Sequence, residues 1–179
     1  MLKRALITIV LSSIVWGCGA STQHGRETQV VNPDAPVIID YYAAEVIRPG
    51  AVWRVYLHAR DRNGDMRDII ARLSQRGRSI TGTSSTRIAE EHSGELAGFL
   101  SWRTPMDRNL DQNRFTLTVF VRDSRGNRSE TVELPFRFTN VPPAEVPEKW
   151  QRIANRRLGF MEIRIESSLQ RMKRGNSRW

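Results

Sequence analysis

Few residues of this chain have the types and the spacing that chemistry requires. The best pattern is Asp61-x-Asn63-x-Asp65, which places oxygen ligands at the first, third and fifth positions of a calcium loop. An EF-hand loop also needs Gly at position six and Glu at position twelve, where this chain has Met66 and Arg72. The segment therefore predicts a hairpin turn of the Asn-Gly type rather than a metal site.

Three histidines, far apart in the sequence, are the other candidates for acid–base or metal chemistry. Glu90-Glu91-His92 could bind a metal or exchange protons, but its polar surroundings are typical of a solvated loop. No G-x-S-x-G, H-E-x-x-H, Walker or dinucleotide-binding motif occurs. We therefore expect a protein that is not an enzyme and that uses no metal or cofactor. A cleft that brought His58 or His92 to a carboxylate would instead indicate a small hydrolase.

The first 17 residues have the composition of an export signal. Lys3 and Arg4 precede twelve uncharged residues, 5–16, too few to cross the roughly 30 Å core of a bilayer as a helix. A basic start, a short apolar run and a polar segment after it are typical of a secretory signal peptide. We expect residues 1–17 to be removed on export and residues 18–34 to form a flexible polar tether.

The only cysteine of the chain lies at the end of this apolar run. Val15, Gly17 and Cys18 resemble the lipobox of bacterial lipoproteins, in which an aliphatic residue and two small residues precede a cysteine. Trp16 departs from the pattern, because that position normally holds a small residue. In that family the cysteine becomes the first mature residue and carries diacylglycerol, usually with an N-acyl chain. Ordinary signal-peptidase cleavage after Ala20 is the alternative.

The resemblance implies that Cys18 anchors the protein in a membrane through its acyl chains. In such lipoproteins Asp directly after the cysteine favours the inner membrane, and this chain has Gly19 there. The expected location is therefore the outer membrane, with the protein facing the periplasm. The net charge of +9 does not predict a nucleic-acid partner, because an exported protein rarely meets nucleic acid.

Residues 35–140 alternate between apolar and polar positions and are interrupted by turn residues at short intervals. In the clearest strand, 114–122, Phe115, Leu117 and Val119 are predicted to face the core and Phe120 to face outward. Other strands are predicted at 37–42, 52–60, 66–73, 79–87 (an edge strand), 96–102 and 131–138, although 65–75 could contain a helical turn. About seven strands in about 100 residues are typical of an immunoglobulin-like antiparallel β-sandwich.

The segment resembles the bacterial immunoglobulin-like and fibronectin-III-like domains. The resemblance depends on Trp53, at the position of a buried tryptophan in the second strand, and on FTLTVFVRDSRGNRSE (115–130), a strand that runs into a hairpin. It implies a fold and not a function, because such sandwiches carry many roles. If the domain binds a glycan or peptidoglycan, Tyr41, Tyr42 and Tyr56 are the candidates for stacking on sugars.

Every lysine or arginine position of this domain is an arginine: residues 35–140 contain 16 arginines and no lysine. A guanidinium pairs bidentately with carboxylates and phosphates, so the arginines could serve binding. A preference for arginine codons explains the same composition. The 13 acidic residues of this segment could also neutralise most of the arginines across strands.

The C-terminal region predicts a long amphipathic helix. Residues 141–147 contain three prolines and predict a stiff linker, and residues 148–174 contain none. Apolar residues then recur at steps of three and four, which is the spacing of one helix face, and residues 175–179 form a tail. The predicted apolar stripe consists of Trp150, Ala154, Leu158, Met161, Ile165, Leu169 and Met172.

The same region carries nine basic and three acidic residues in 147–179. Arg157, Arg164 and Arg171 are spaced seven apart and would form a row beside the stripe. The stripe could pack on the sandwich, on a partner helix or a second copy of the chain, or in a membrane interface where arginines reach phosphates. We expect an envelope protein partner or an anionic lipid surface, because a helix of roughly 40 Å would overhang the sandwich.

Three functions follow from these features. The first is a lipid-anchored interaction or scaffold protein of the cell envelope that binds through its C-terminal helix. The second is a glycan- or peptidoglycan-binding module of the envelope. The third is a small hydrolase, for which the sequence shows no catalytic motif.

Overall fold

The computed structural model describes residues 32–75, 82–107, 110 and 113–165. The strands within these residues are β1 (Val37–Ala43), β2 (Val46–Ile47), β3 (Val52–Arg60), β4 (Met66–Gln75), β5 (Gly82–Arg87), β6 (Glu95–Arg103), β7 (Arg114–Asp123), β8 (Val132–Phe138) and β9 (Arg157–Phe160). The helices are a short 3-10 helix, Glu90–His92, and α1, Glu148–Gln151.

The strands form two sheets that pack face to face. The first sheet has the order β1-β3-β6-β9, and the second sheet has the order β2-β8-β7-β4-β5. Neighbouring strands are antiparallel, except that β2 runs parallel to β8 and β9 runs parallel to β6. With β1, β3 and β6 opposite β8, β7, β4 and β5, the order is that of an immunoglobulin-like sandwich. The predicted mainly-β, two-sheet fold is therefore confirmed, and β5 is the edge strand that the sequence predicts.

The core lies between the two sheets and follows the alternation of the sequence. The inward side chains of β3 and β7 are at most 3% exposed; they are Trp53, Val55, Leu57, Ala59, Phe115, Leu117, Val119 and Val121. Aromatic rings fill the centre, with Trp53 4.6 Å from Phe136 and Phe115 stacked on Phe136 at 5.4 Å between ring centroids. β4 continues as a strand to Gln75, so residues 65–75 contain no helical turn.

The predicted turn at residues 61–65 is present, but it joins the two sheets instead of pairing β3 with β4. The Asp61 carboxylate accepts the backbone N–H groups of Asn63 at 3.4 Å and of Asp65 at 3.0 Å. Gly64 has a φ of +70°, which is why glycine occupies this position. Burial raises the pKa of Asp61, and a hydrogen bond from Ser124 lowers the pKa of Asp65. The carboxylates therefore hold the turn by local hydrogen bonds.

The long helix predicted over 148–174 is wrong for the residues that the structure describes. The helix ends at Gln151 after four residues, and 157–160 form β9 instead. The reason is a second periodicity: Met161, Ile163 and Ile165 alternate with charged residues, which is the pattern of a half-buried extended chain. This alternation competes with the helical spacing, and the sheets offer a surface on which it is buried.

Residues 156–165, which we call the closing segment, join the edges of the two sheets. β9 pairs with β6 of the first sheet, while Thr86 on β5 of the second donates to the Phe160 carbonyl at 3.0 Å. Met161 and Ile163 are 4% and 6% exposed and belong to the central core. The Trp102 indole donates to the Ile163 carbonyl at 2.9 Å. Of the predicted stripe, Leu158, Met161 and Ile165 thus pack on the protein's own sandwich in an extended part of the chain.

A second, smaller core lies on the outer face of the first sheet. Tyr56 and Phe99 point away from the central core, yet they are 1% and 6% exposed because Trp150 covers them. The ring of Tyr56 is 5.5 Å from that of Trp150 and 5.7 Å from that of Phe99. Lys149 binds Asp40 of β1 at 2.7 Å. These contacts hold α1 against the outer face of this sheet.

Candidate functional site

Four of the six predicted binding residues that the structure describes in the C-terminal region are buried or pack against a core. Trp150 and Met161 are buried, and Leu158 and Ile165 pack against the central core. Since these apolar side chains are already covered, they do not form a docking stripe on the surface. Ala154 is partly exposed.

Arg157 and Arg164 are exposed, as predicted. The Arg157 guanidinium lies 4.3 Å from the ring centre of Phe160, which is 59% exposed. Cys18, Leu169, Met172 and Arg171 lie outside the described residues, so the lipid anchor stays a prediction. Within the described ranges, no helix combines the length and the apolar character needed to cross a bilayer.

Arginines from distant parts of the sequence meet on the outer face of the second sheet. We call this surface the arginine face; it consists of Arg67 and Arg72 of β4, Arg87 of β5, Arg122 of β7 and Arg128, which follows the β7–β8 turn. Strand register places Asp68 opposite Arg87 on one side and Arg122 on the other. Sequence reasoning did not find this face, because it depends on how three strands align.

Asp68 is the centre of the arginine face. Its carboxylate, in a residue only 6% exposed, binds Arg122 at 2.8 Å, Arg67 at 2.9 Å and Arg87 at 3.4 Å. Burial alone would raise the pKa of Asp68, but the hydrogen bonds from Arg122 and Arg67 outweigh it and hold the pKa below its ordinary value. One carboxylate balances one of the three guanidinium charges, so the cluster keeps a net positive charge.

Phe120 lies beside this cluster, on the same face. It points outward, as the sequence predicts, but it is only 4% exposed. The guanidinium groups of Arg72 and Arg128 each lie 5.2 Å from its ring centre, in positions for cation–π contacts. Neither guanidinium forms an ion pair with a described carboxylate. Their N–H groups are therefore left to bind an anion from outside the chain.

The positive face extends along the sheet. Arg114 and Arg137 are paired in register and exposed at the far end of β7 and β8. Glu133 of β8 is the other carboxylate on the described outer-face strand positions, and it makes no ion pair with the arginines. Guanidinium groups recognise phosphate and carboxylate oxygens in bidentate geometry. Because these arginines are spread along neighbouring strands, the array suits an extended anion better than a small molecule.

His58 lies within hydrogen-bond distance of a carboxylate. Its Nε2 lies 2.9 Å from Oε1 of Glu95, and hydrogen bonds from His58 and Arg60 lower the pKa of Glu95. A cavity of about 220 Å³ beside it is also lined by Asp40, Ala97, Lys149, Trp150 and Ile153. The described lining contains no serine, threonine or cysteine, so it supplies no nucleophile for a triad. His92 lies on the exposed 3-10 helix.

Two of the three tyrosines proposed for sugar binding line one cleft. Tyr41 and Tyr42 line a cleft of about 470 Å³ with Glu45, Glu133 and Leu134, between β1 and β8. Tyr41 is 45% exposed. Burial and the nearby charge of Glu45 raise the pKa of Tyr42. The third, Tyr56, is not part of the cleft, because it is buried beneath α1.

Comparison with known proteins assigns no family. No protein-family model and no curated protein matches the sequence. Among solved structures, the chain is similar to the CARDB domain of a Pyrococcus furiosus protein, crystallised in complex with di-metal ions. The identity is 10% and the TM-score is 0.33, and the match covers 58% of this chain and 87% of that chain. A TM-score of this size supports no conclusion about function, so the assignment to the immunoglobulin-like sandwiches depends on strand order.

Proposed function

We propose that this protein is a lipid-anchored interaction module of the bacterial cell envelope and that it binds an anionic partner through the arginine face. The observation that supports this proposal is the arrangement of five arginines on one sheet face, three around the buried Asp68 carboxylate and two over the ring of Phe120. Two of them, Arg72 and Arg128, have no ion pair with a described residue.

The arginine face is organised before any partner binds. Asp68 fixes Arg67, Arg87 and Arg122, while the ring of Phe120 supports the other two guanidinium groups. Holding long side chains in place lowers the entropy cost of binding, which is about 0.5–1.5 kcal/mol for each immobilised side chain. Hydrogen bonds to charged groups contribute about 1.5–3 kcal/mol each. A fixed array of guanidinium groups is therefore suited to a polyanion.

Anchoring is the other half of the proposal. The lipobox-like residues support acylation of Cys18, and Gly19 supports the outer membrane with the protein facing the periplasm. Cys18→Ser should leave an unprocessed precursor or change the membrane fraction in which the protein is found. Unchanged processing and fractionation of this variant would contradict the lipid anchor.

Binding of inorganic polyphosphate tests the arginine face. Arg72→Gln combined with Arg128→Gln should weaken binding by about tenfold or more, because each lost charge-assisted contact is worth about 1 kcal/mol or more. The control is Arg157→Gln combined with Arg164→Gln, which removes the same charge from exposed arginines outside the face. An equal loss in both double variants would show attraction to net charge alone, and the proposed site would be wrong.

A glycan-binding role is the second candidate, and the cleft at Tyr41 and Tyr42 is the observation that favours it. Aromatic rings beside carboxylates provide both a stacking surface and hydrogen-bond acceptors for a sugar. Tyr41→Ala should reduce co-sedimentation with purified peptidoglycan, whereas Phe160→Ala, at another exposed aromatic, should not. Equal binding by both variants and the wild type would exclude the cleft as a glycan site.

A further inference from the structure

We infer that the anionic partner of the arginine face is the headgroup surface of the membrane in which the protein is anchored, so that the second sheet lies flat on the lipid. This inference rests on the proposed function and goes beyond it by naming the partner. Three observations support it: where the chain joins the sandwich, which sheet face is open, and how the charges are spread.

The chain joins the sandwich at the end where the arginine cluster lies. The Asn32 side chain donates to the side chain of Asn127 in the β7–β8 turn at 3.0 Å. The Asn63 side chain donates to the backbone carbonyl of Asp34 at 3.3 Å. Arg122 and Arg128 flank this same β7–β8 turn and are paired by an antiparallel backbone β-bridge. The residues that follow the predicted tether are thus held beside the arginine face.

The length of the tether limits how far the face can be from the lipid. Fourteen residue steps separate Cys18 from Asn32, and a chain of that length spans at most about 50 Å in any conformation. A binding surface joined to its target by a short linker has a high effective concentration near it. A lipid anchor combined with a basic surface is also the combination that gives stable membrane attachment.

The two outer faces differ in how accessible they are. Residues 146–153 cover the outer face of the first sheet, and Lys149 there is neutralised by Asp40. The described residues place no such cover on the arginine face. The exposed carboxylate of Glu130, two residues after Arg128, accepts the backbone N–H of Ile38 on the first sheet at 3.0 Å.

The spread of charge fits a plane of phosphates. From Arg122 to Arg114, β7 extends over about 26 Å at roughly 3.3 Å per residue, with Arg72 beside the middle of this distance. One small anion cannot contact charges so far apart. A lipid surface presents phosphates across the whole area, and each basic residue near an anionic surface adds to the attraction.

The test uses the mature chain from residue 18 with Cys18→Ser, which keeps all residues of the sandwich. We expect it to co-sediment with vesicles that contain phosphatidylglycerol, and not with phosphatidylcholine alone. Arg72→Gln combined with Arg128→Gln should weaken this binding about tenfold to thirtyfold, whereas Arg157→Gln combined with Arg164→Gln should change it less than about twofold. High salt should abolish the difference between the variants.

Orientation provides the second measurement. Cys18→Ser removes the only cysteine, so one new cysteine can carry a fluorophore. A label at Ser85→Cys, on the outer face of β5, should be quenched by headgroup-quencher lipids. A label at Val52→Cys on the first sheet, 53% exposed, should not be quenched.

Several results would overturn the inference. If polyphosphate binds through the arginine face but anionic vesicles do not bind, the proposed function stands and the membrane is not the partner. If neither probe binds, both proposals are wrong. Equal quenching at both labelled positions, or equal loss in both double variants, would show that the second sheet does not lie on the lipid.

Discussion

The outer faces of the two sheets each carry an aromatic residue that points away from the central core, and the protein buries the two in different ways. On the first sheet, Tyr56 is covered by Trp150 from a later part of the chain. On the second sheet, Phe120 is covered by the guanidinium groups of Arg72 and Arg128. Both aromatics end up at most 4% exposed.

The kind of cover decides what each face can do. Trp150 belongs to a folded segment of the chain, so Tyr56 can be uncovered only by partial unfolding. Arginine side chains keep their charged ends in water while their stems cover apolar surface. A partner anion can therefore replace the water at these charged ends without uncovering the aromatic ring. The first face is therefore structural, and the second is the face that we propose for binding.

The largest expected effect is on the first face. Trp150→Ala should lower the free energy of unfolding by about 3–5 kcal/mol, because it removes the cover of Tyr56 and Phe99. The Trp150 indole N–H has no hydrogen-bond partner among the described residues, so the loss reports packing. Chemical denaturation measures it. Phe160→Ala, an exposed aromatic on the closing segment, should cost less than about 1 kcal/mol; equal losses would show that α1 is not a cover.

An intermediate effect is expected for the centre of the arginine face. Asp68→Asn should lower the free energy of unfolding by about 1–3 kcal/mol, because three guanidinium groups lose their shared carboxylate. The loss is smaller than for a fully buried pair, since solvent reaches Arg87, whose side chain is 72% exposed.

The pH dependence of this variant sharpens the assignment. Because the pKa of Asp68 is lower in the folded chain than its ordinary value of 3.8, the carboxylate stabilises the fold above pH 3.8. That contribution is lost as the pH falls through the folded pKa. Wild type and Asp68→Asn should therefore differ in stability at pH 7 and converge in acid. A constant difference between them across this range would contradict the assignment.

The smallest effect is expected for the side chains that cover Phe120. Arg72→Gln or Arg128→Gln should each lower the free energy of unfolding by no more than about 1 kcal/mol, since a cation–π contact at an exposed site is worth about 0.5–1 kcal/mol. Thermal or urea unfolding of the single variants measures this loss. A loss as large as that of Trp150→Ala would mean that the arginines over Phe120 stabilise the fold as much as Trp150 over Tyr56 does.

Local periodicity predicted the strands well, because alternation is a property of neighbouring residues. β3 and β7 bury the inward residues that the sequence predicts. The outer faces were harder, because what covers Tyr56 or Phe120 comes from elsewhere in the chain. Arginine content was visible in the sequence, but the meeting of Arg72, Arg87 and Arg122 around Asp68 depends on strand register.

The C-terminal segment shows the limit of the same reasoning. Its apolar residues satisfy a helical spacing, while Met161, Ile163 and Ile165 also satisfy a strand spacing. A choice between them depends on the partner surface, here the edge strands β6 and β5. Gly98 and Gly159 give the backbone room at that contact, since a Cβ at either position would collide with Arg156 or Thr86.

The closing segment also has a consequence for folding during synthesis of the chain. β9 pairs with β6, about 60 residues earlier, so this pairing cannot form until the closing segment has been synthesised. While the ribosome has made only the first 140 residues, the Trp102 indole lacks the Ile163 carbonyl, and Tyr56 and Phe99 are uncovered. Such a nascent chain exposes apolar surface of the kind that promotes aggregation. Synthesis of residues 146–165 thus supplies the groups that cover these surfaces.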